Sequence, residues 1–307
     1  MTEETLHDLY SECELCPRRC GADRTNAGKV GRCGGGAKAA VNLAMLHYGE
    51  EPVISGVRGS GTVFFEGCPL GCIFCQNHDI SLRKARAEHE QSPGELADIF
   101  VALQKQGAHN INLVTALHYA PSVVMALELV RGTRLHIPVA VNTGGYELPE
   151  TLGLLDGLVD IYMPDLKFFS PALADATCRA PDYYEFACAA LDSMYEQVGP
   201  VQLGDDGMLK KGLVIRHLMM PGKLFDTKKI LDHIIRRFGN KVYISLMNQY
   251  TPMPNLPGNA PDYLRRTVPA GHYEAAVRYI ETGLEDSSRV FIQEGAADGD
   301  EMIPKFL

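Results

Sequence analysis

The chain has 307 residues, 46% of them apolar and 22% charged, with 29 Lys and Arg against 38 Asp and Glu for a net charge of −9. That apolar content suffices for a full core and excludes a disordered chain. The acidic balance, with no block of like charge, disfavours a partner gripped mainly through nucleic-acid phosphates. No run of about 18 apolar residues occurs, so no membrane span is expected. The opening MTEETLHDLYSECE is acidic and polar where a secretory leader would be basic and then apolar, and a cytoplasmic protein is expected.

Four cysteines, interspersed with Arg and Lys, and the run Gly34-Gly35-Gly36 mark the first 50 or so residues. Such a segment buries little apolar surface by itself, and a bound metal is its expected organiser. The glycine-rich GVRGSG, 56–61, precedes the strand-like TVFFE, whereas a dinucleotide fingerprint follows a strand and opens a helix; it reads as a turn. From Thr62 onward short apolar runs alternate with longer amphipathic stretches. Strands are predicted at 62–66, 111–115, 138–142, 159–163, 213–217 and 242–246, with a seventh at 290–293. Helices are predicted at 93–106 (Ser92 as N-cap), 121–131, 148–155, 182–198, 226–238 and 272–283. Repeated strand–helix–strand units imply an α/β fold with a parallel sheet. Six units suit a partial TIM-type (β/α)6 barrel, residues 53–307, behind a small Cys-rich extension, residues 1–52.

Nine cysteines stand beside no tryptophan, and seven of the nine fall within the first 75 residues. In a reducing compartment that clustering argues for metal rather than disulfides. Cys68, Cys72 and Cys75, in EGCPLGCIFCQN, are spaced C-x3-C-x2-C directly after the first predicted barrel strand. Three thiolates so close can hold one cubane cluster and leave one iron without a protein ligand. By spacing alone, zinc completed by His78, or simple buried thiols, remain alternatives.

This spacing, with Phe74 just before the last cysteine, resembles the signature of the radical S-adenosylmethionine (radical SAM) superfamily. The resemblance implies a [4Fe-4S] cluster whose open iron takes S-adenosyl-L-methionine, and reductive cleavage of the latter to a 5′-deoxyadenosyl radical. It extends over roughly residues 10–295 and is closest to proteins similar to the pyruvate formate-lyase activating enzyme, in a branch with an extra N-terminal cysteine motif. The segments NINLVTALHYAP, VNTGGYE, VDIYMPDLKFF, RHLMMPG and SLMNQY carry it. Independently of the family, Thr115, Asn142, Asp165, Lys167, Arg216 and the Asn248-Gln249-Tyr250 run all lie at or just past the carboxyl ends of predicted strands. In a parallel barrel these ends form one rim.

The resemblance assigns cofactor contacts residue by residue. Thr115 stands where relatives have a glutamate that meets the methionine amino group. Asn142 is placed beside the methionine or ribose. The Asp165-Leu166-Lys167 motif supplies a carboxylate for ribose hydroxyls and an ammonium for the methionine carboxylate. Arg216 is placed near that carboxylate, and Gln249 or Tyr250 near ribose or adenine. His118 reads equally as a helix-opening residue or a substrate contact, and His217 as packing. Cys13, Cys16, Cys20 and Cys33, spaced C-x2-C-x3-C-x12-C, form a closed four-ligand set for zinc or an auxiliary iron–sulfur cluster. Cys178 and Cys188 read as core thiols. The resemblance further implies an anaerobic activating enzyme with a protein substrate, a glycyl radical enzyme or another, and an electron donor such as flavodoxin or ferredoxin. A peptide or small metabolite as substrate, and a non-catalytic metal-binding scaffold, are the competing readings. Neither a membrane nor nucleic acid is an expected partner.

Overall fold

The computed structural model describes residues 3–26, 30–293 and 304–306. In chain order the elements are α1 (Glu3–Asp8), β1 (Ala39–His47), α2 (Pro52–Ser55), β2 (Ser60–Phe65), α3 (His78–Ser81), β3 (Glu90–Gln91), α4 (Pro93–Lys105), β4 (Ile111–Val114), α5 (Ala120–Val130), β5 (Val139–Thr143), α6 (Pro149–Gly153) and β6 (Ile161–Pro164). They continue with α7 (Pro171–Cys178), α8 (Tyr183–Val198), β7 (Gln202–Leu203), β8 (Leu209–Leu218), α9 (Leu224–Arg237), β9 (Tyr243–Met247), α10 (Ala270–Gly283) and β10 (Val290–Ile292). Seven strands run parallel in the order β2-β4-β5-β6-β8-β9-β10, and β1 then β3 extend the β2 edge antiparallel. Among the described residues nothing pairs β10 with β3, so the sheet is a partial barrel. No helix there is long and apolar enough to cross a membrane.

The alternation of side chains along each strand sorts the core into two sides. Val63, Leu113, Val141, Tyr162 and Leu213 lie in one register across five strands and are fully buried in the core that also takes in the helices. One step along, Ala140, Ile161, Met163 and Val214 point the other way and pack on Ile54 of α2, which plugs the barrel interior. Two residues past Ala140, Met163 and Val214 come Asn142, Asp165 and Arg216, so the same alternation carries them into the interior above that plug. The helices start as their sequences dictate: Ser92 caps α4 in a full capping box with Glu95 (Ser92 N to Glu95 Oε2, 2.8 Å), with Pro93 in the first turn. GVRGSG forms the turn from α2 into β2, with Gly56 and Gly59 at positive φ.

The structure adds elements that periodicity did not mark. Ala39–His47, read as part of the extension, is a nine-residue strand of the main sheet, paired with β2 from Val41↔Phe65 to His47↔Ser60. Its run AAVNLAMLH has no clear period, which leaves helix and strand undivided on sequence alone. Before it, α1 packs on α5, and the buried Tyr10 hydroxyl meets Ser122 Oγ at 2.9 Å. The N-terminal segment thus has apolar anchors of its own in Leu6, Tyr10 and Leu15.

Past β5 the chain turns through Gly145, whose φ of +80° and whose missing Cβ, which would lie 2.2 Å from the Asp165 carbonyl, admit only glycine. Glu147 follows, buried, accepting from the Thr143 hydroxyl, with its second carboxyl oxygen unpartnered among the described residues. Burial pushes its carboxyl from 4.5 up to about 7, opposed by the Thr143 hydrogen bond. A raised carboxyl contributes stability that is full below pH about 4.5 and is lost as pH rises through 7. Denaturant melts of Glu147→Gln are therefore expected to lack a loss of about 3 kcal/mol that the parent shows across this window; parallel pH profiles for the two proteins would refute the assignment.

Candidate active site

Twenty residues separate the end of β2 from Arg86, and both ends of this loop are tied to one carboxylate. Glu66, buried, accepts from Arg86 N (2.8 Å), Arg86 Nη2 (2.9 Å) and Asn42 Nδ2 (2.9 Å), and meets the His89 ring at 2.9 Å. Although burial alone would raise it, these partners hold the Glu66 carboxyl below its ordinary value. Inside the loop, Cys75 N bonds Cys72 O, and Ile73 N reaches Thr177 O in α7 at 3.0 Å. Phe74 wedges between Phe168 and Tyr250, with ring centres 6.1 Å away in each case.

Cys68, Cys72 and Cys75 line one cavity of about 250 Å³ at the carboxyl ends of the strands. Burial, with the neighbouring Cys72, pushes the Cys68 thiol up to about 12 and raises that of Cys75. Cys72 is raised as well, first by its hydrogen bond with Cys178 and then by burial. Thiols held protonated this way ionise when a metal centre takes up their charge.

Thr115, Asn142, Asp165, Lys167, Arg216 and Gln249 line the same cavity. Thr115 has φ +58°, a left-handed conformation that a β-branched residue adopts only under constraint; its N–H is anchored on Asn142 O at 2.8 Å. Lys167 Nζ donates to Asp165 Oδ2. Burial would lower the Lys167 ammonium, but the Asp165 carboxylate, by its charge and its hydrogen bond, holds it above its ordinary value. It remains charged and faces the cysteine loop.

Arg216 lines the cavity paired with two carboxylates. Its Nε donates to Glu51 Oε1 (3.0 Å), and its Nη2 donates to Glu51 Oε2 (2.5 Å) and to Glu50 Oε2. Glu50 Oε1 also accepts from Asn112 (2.8 Å) and Asn142 (3.4 Å). Burial would lower Arg216, yet the two carboxylates raise it, while Arg216 outweighs burial in holding Glu51 down. Glu50 lines the cavity and escaped the sequence reading. The only signal was two adjacent acids before Pro52, which reads as a solvated turn.

Other residues fall elsewhere. His118 is buried with Nε2 on Glu66 O at 3.0 Å, and burial beside Arg24 pushes it down to about 3, so it braces the loop and does not face the cavity. His217 bonds Leu166 O and Thr227 Oγ1 in the core, as its packing role required. Tyr250 is buried on Leu264 O (2.6 Å), leaving Gln249 to line the cavity. His78 is not among the lining residues. Cys178 packs in α7, yet its thiol pairs with that of Cys72, which the core-thiol reading missed. Cys13, Cys16 and Cys33 are buried and Cys20 exposed, around the buried Arg24, which bonds Cys13 Sγ (3.4 Å) and lies over Tyr10 and Tyr119. Among the described residues no three Cys, His, Asp or Glu side chains are grouped as a single-ion site.

The chain is 28% identical over 288 residues to an uncharacterized protein of Methanocaldococcus jannaschii, covering 92% of this chain and 76% of that one. The crystal structure of HydG, a maturase of the [FeFe]-hydrogenase, aligns with 71% of this chain at 15% identity and a TM-score of 0.49, and the chain spans about half (48%) of that structure's length. A family model for the radical SAM superfamily matches residues 62–234, a span that runs from β2 through most of α9 and holds the cysteine loop together with Thr115, Asn142, Asp165, Lys167 and Arg216 but not the 248–250 run. With more than half of its length inside that match, the chain belongs to the radical SAM superfamily.

Proposed function

We propose that this chain cleaves S-adenosyl-L-methionine reductively and uses the resulting radical on a protein substrate, as an activating enzyme of the glycyl-radical type. The observation that carries the reading is the convergence of three thiols from one loop, Cys72 buried and Cys68 and Cys75 half-buried, with the Asp165–Lys167 pair in a single cavity. The donor set fits a cluster with three protein ligands: thiols from one loop, raised by burial and by one another, beside a fixed ammonium. When bound, a [4Fe-4S] cluster supplies the single electron that breaks the sulfonium C5′–S bond, giving methionine and the 5′-deoxyadenosyl radical.

Cys68, Cys72 and Cys75 hold that cluster. Lys167, kept charged by Asp165, meets the methionine carboxylate, and Asp165 retains an oxygen for ribose hydroxyls. Thr115 and Asn142 shape the wall beside the methionine, and Gln249 closes the far side toward the nucleoside. Arg216 acts through Glu50, which it holds at the cavity wall. The protein substrate rests on the resemblance of the strand-end segments to activating enzymes, as does an electron donor of flavodoxin or ferredoxin type. We assign zinc or an auxiliary cluster to Cys13, Cys16, Cys20 and Cys33.

Reduced, anaerobically reconstituted protein is expected to form 5′-deoxyadenosine from S-adenosyl-L-methionine, and Cys72→Ala to form none above background. Equal product from the variant would sink the assignment. With a candidate glycyl radical enzyme present, electron paramagnetic resonance should show a stable radical on the partner. Metal analysis of a Cys13/Cys16/Cys20 triple serine variant reports on the second set: loss of about one zinc marks a structural site, loss of about four irons an auxiliary cluster, and unchanged metal removes the site.

A further inference from the structure

The N-terminal cysteine segment reaches the radical-site loop at three places. Cys33 O accepts from Cys68 N at 3.0 Å, Gly34 O accepts from Ala85 N at 2.9 Å, and Arg18 lies across the stretch between them. Gly67 makes the first contact possible, since a Cβ there would stand 2.4 Å from Cys33 O.

Arg18 makes the densest connection. Its Nε donates to Pro69 O (3.0 Å), Nη2 to Cys178 O (2.6 Å) and more weakly to Leu70 O (3.4 Å), and Nη1 to Arg179 O. Its guanidinium carbon lies 5.1 Å from the Tyr146 ring centre. Pro69 and Leu70 belong to the turn between Cys68 and Cys72. Cys178 and Arg179 end α7, where the last carbonyls have no partner within the helix and carry its negative end. One planar fork of five donors therefore satisfies orphaned helix carbonyls and the inner cysteine turn together, a geometry that an ammonium on a flexible stem does not reproduce. Arg19, the next residue, is exposed and, among the described residues, its side chain meets Glu14 at the surface, at 3.3 Å.

We infer that Arg18 is a positioning residue for the radical site: it locks the Cys68–Cys72 turn onto α7, so that retention of the iron centre depends on the N-terminal cysteine segment. Arg18 stands between Cys16 and Cys20, which makes it the link between the two cysteine sets. The inference rests on the cluster assignment proposed above for its metal readout and on the hydrogen bonds alone for its second readout.

The experiment compares the full-length parent with Arg18→Ala, Arg18→Lys and the control Arg19→Ala. The first readout is the rate at which an iron chelator strips the reconstituted protein, together with the electron paramagnetic resonance signal of the reduced cluster. The second is hydrogen exchange of the Cys68 and Ile73 amides in metal-free protein. Arg18→Ala is expected to lose iron about tenfold faster or more, to show an altered signal and to exchange these amides faster, with Arg18→Lys between it and the parent and Arg19→Ala like the parent. Parental iron retention and amide protection in Arg18→Ala would overturn the inference, and so would equal effects from Arg19→Ala. If Arg18→Ala does not fold, Arg18→Lys decides, its parental behaviour in both readouts counting against the clamp. A parent that takes up no iron would overturn the cluster assignment instead, and amide exchange would then decide the clamp alone.

Discussion

A loop of twenty residues with little regular structure has to be closed at both ends before its thiols can share a cavity, and here the buried Glu66 carboxylate closes it. One end of the loop leaves β2 at Glu66 itself; the other returns at Arg86, which gives that carboxylate both its backbone N–H and its guanidinium. Glu66 is buried (5% exposed) and Arg86 partly so (38% exposed), which screens their pair less than a fully exposed one such as Arg83–Asp79 on the same loop, worth about 0–1 kcal/mol. The buried contact therefore sets the loop's closure and the surface one does not. Closure entropy grows only slowly with loop length, which is why a single strong tie can hold so long an excursion.

The remaining positions follow from the sheet. A period of two along each parallel strand sends Asn142, Asp165 and Arg216 into the interior above the Ile54 plug, while the alternate residues join the helices. The backbone then fixes details that side chains cannot: Gly145 lets the chain after β5 pass against the Asp165 carbonyl, and Thr115 is held in a left-handed conformation at the cavity wall. The site is built on strand ends, with loops supplying the thiols and the acids that complete it.

The parallel strands were legible because short apolar runs bounded by turn residues are a local signal, and the strand-end polar residues could be counted onto one rim from the sequence alone. Helix starts such as Ser92-Pro93 were equally plain. The partners of those residues were not. Glu50 and Glu51 come from the turn before α2, 165 residues or more from Arg216, and nothing in the spacing announces that meeting. The same holds for Arg18 on the Cys178 carbonyl and for Cys178 beside Cys72, contacts that tertiary packing alone creates. β1 was missed for a different reason: an apolar run without period carries no directional information.

The pairing of one guanidinium with two carboxylates has an electrostatic consequence. Arg216 grips Glu51 through two nitrogens, and Glu50 adds a second negative charge at the cavity wall, while Asp165 and Lys167 cancel each other. These five side chains therefore carry one excess negative charge, in surroundings where water screens poorly. For the cofactor proposed here, the sulfonium and ammonium outweigh the carboxylate by one unit, whereas methionine and 5′-deoxyadenosine together carry no net charge. The wall that keeps Arg216 in place thus favours the intact cofactor over its fragments, and spent products meet a less welcoming field than the molecule they came from.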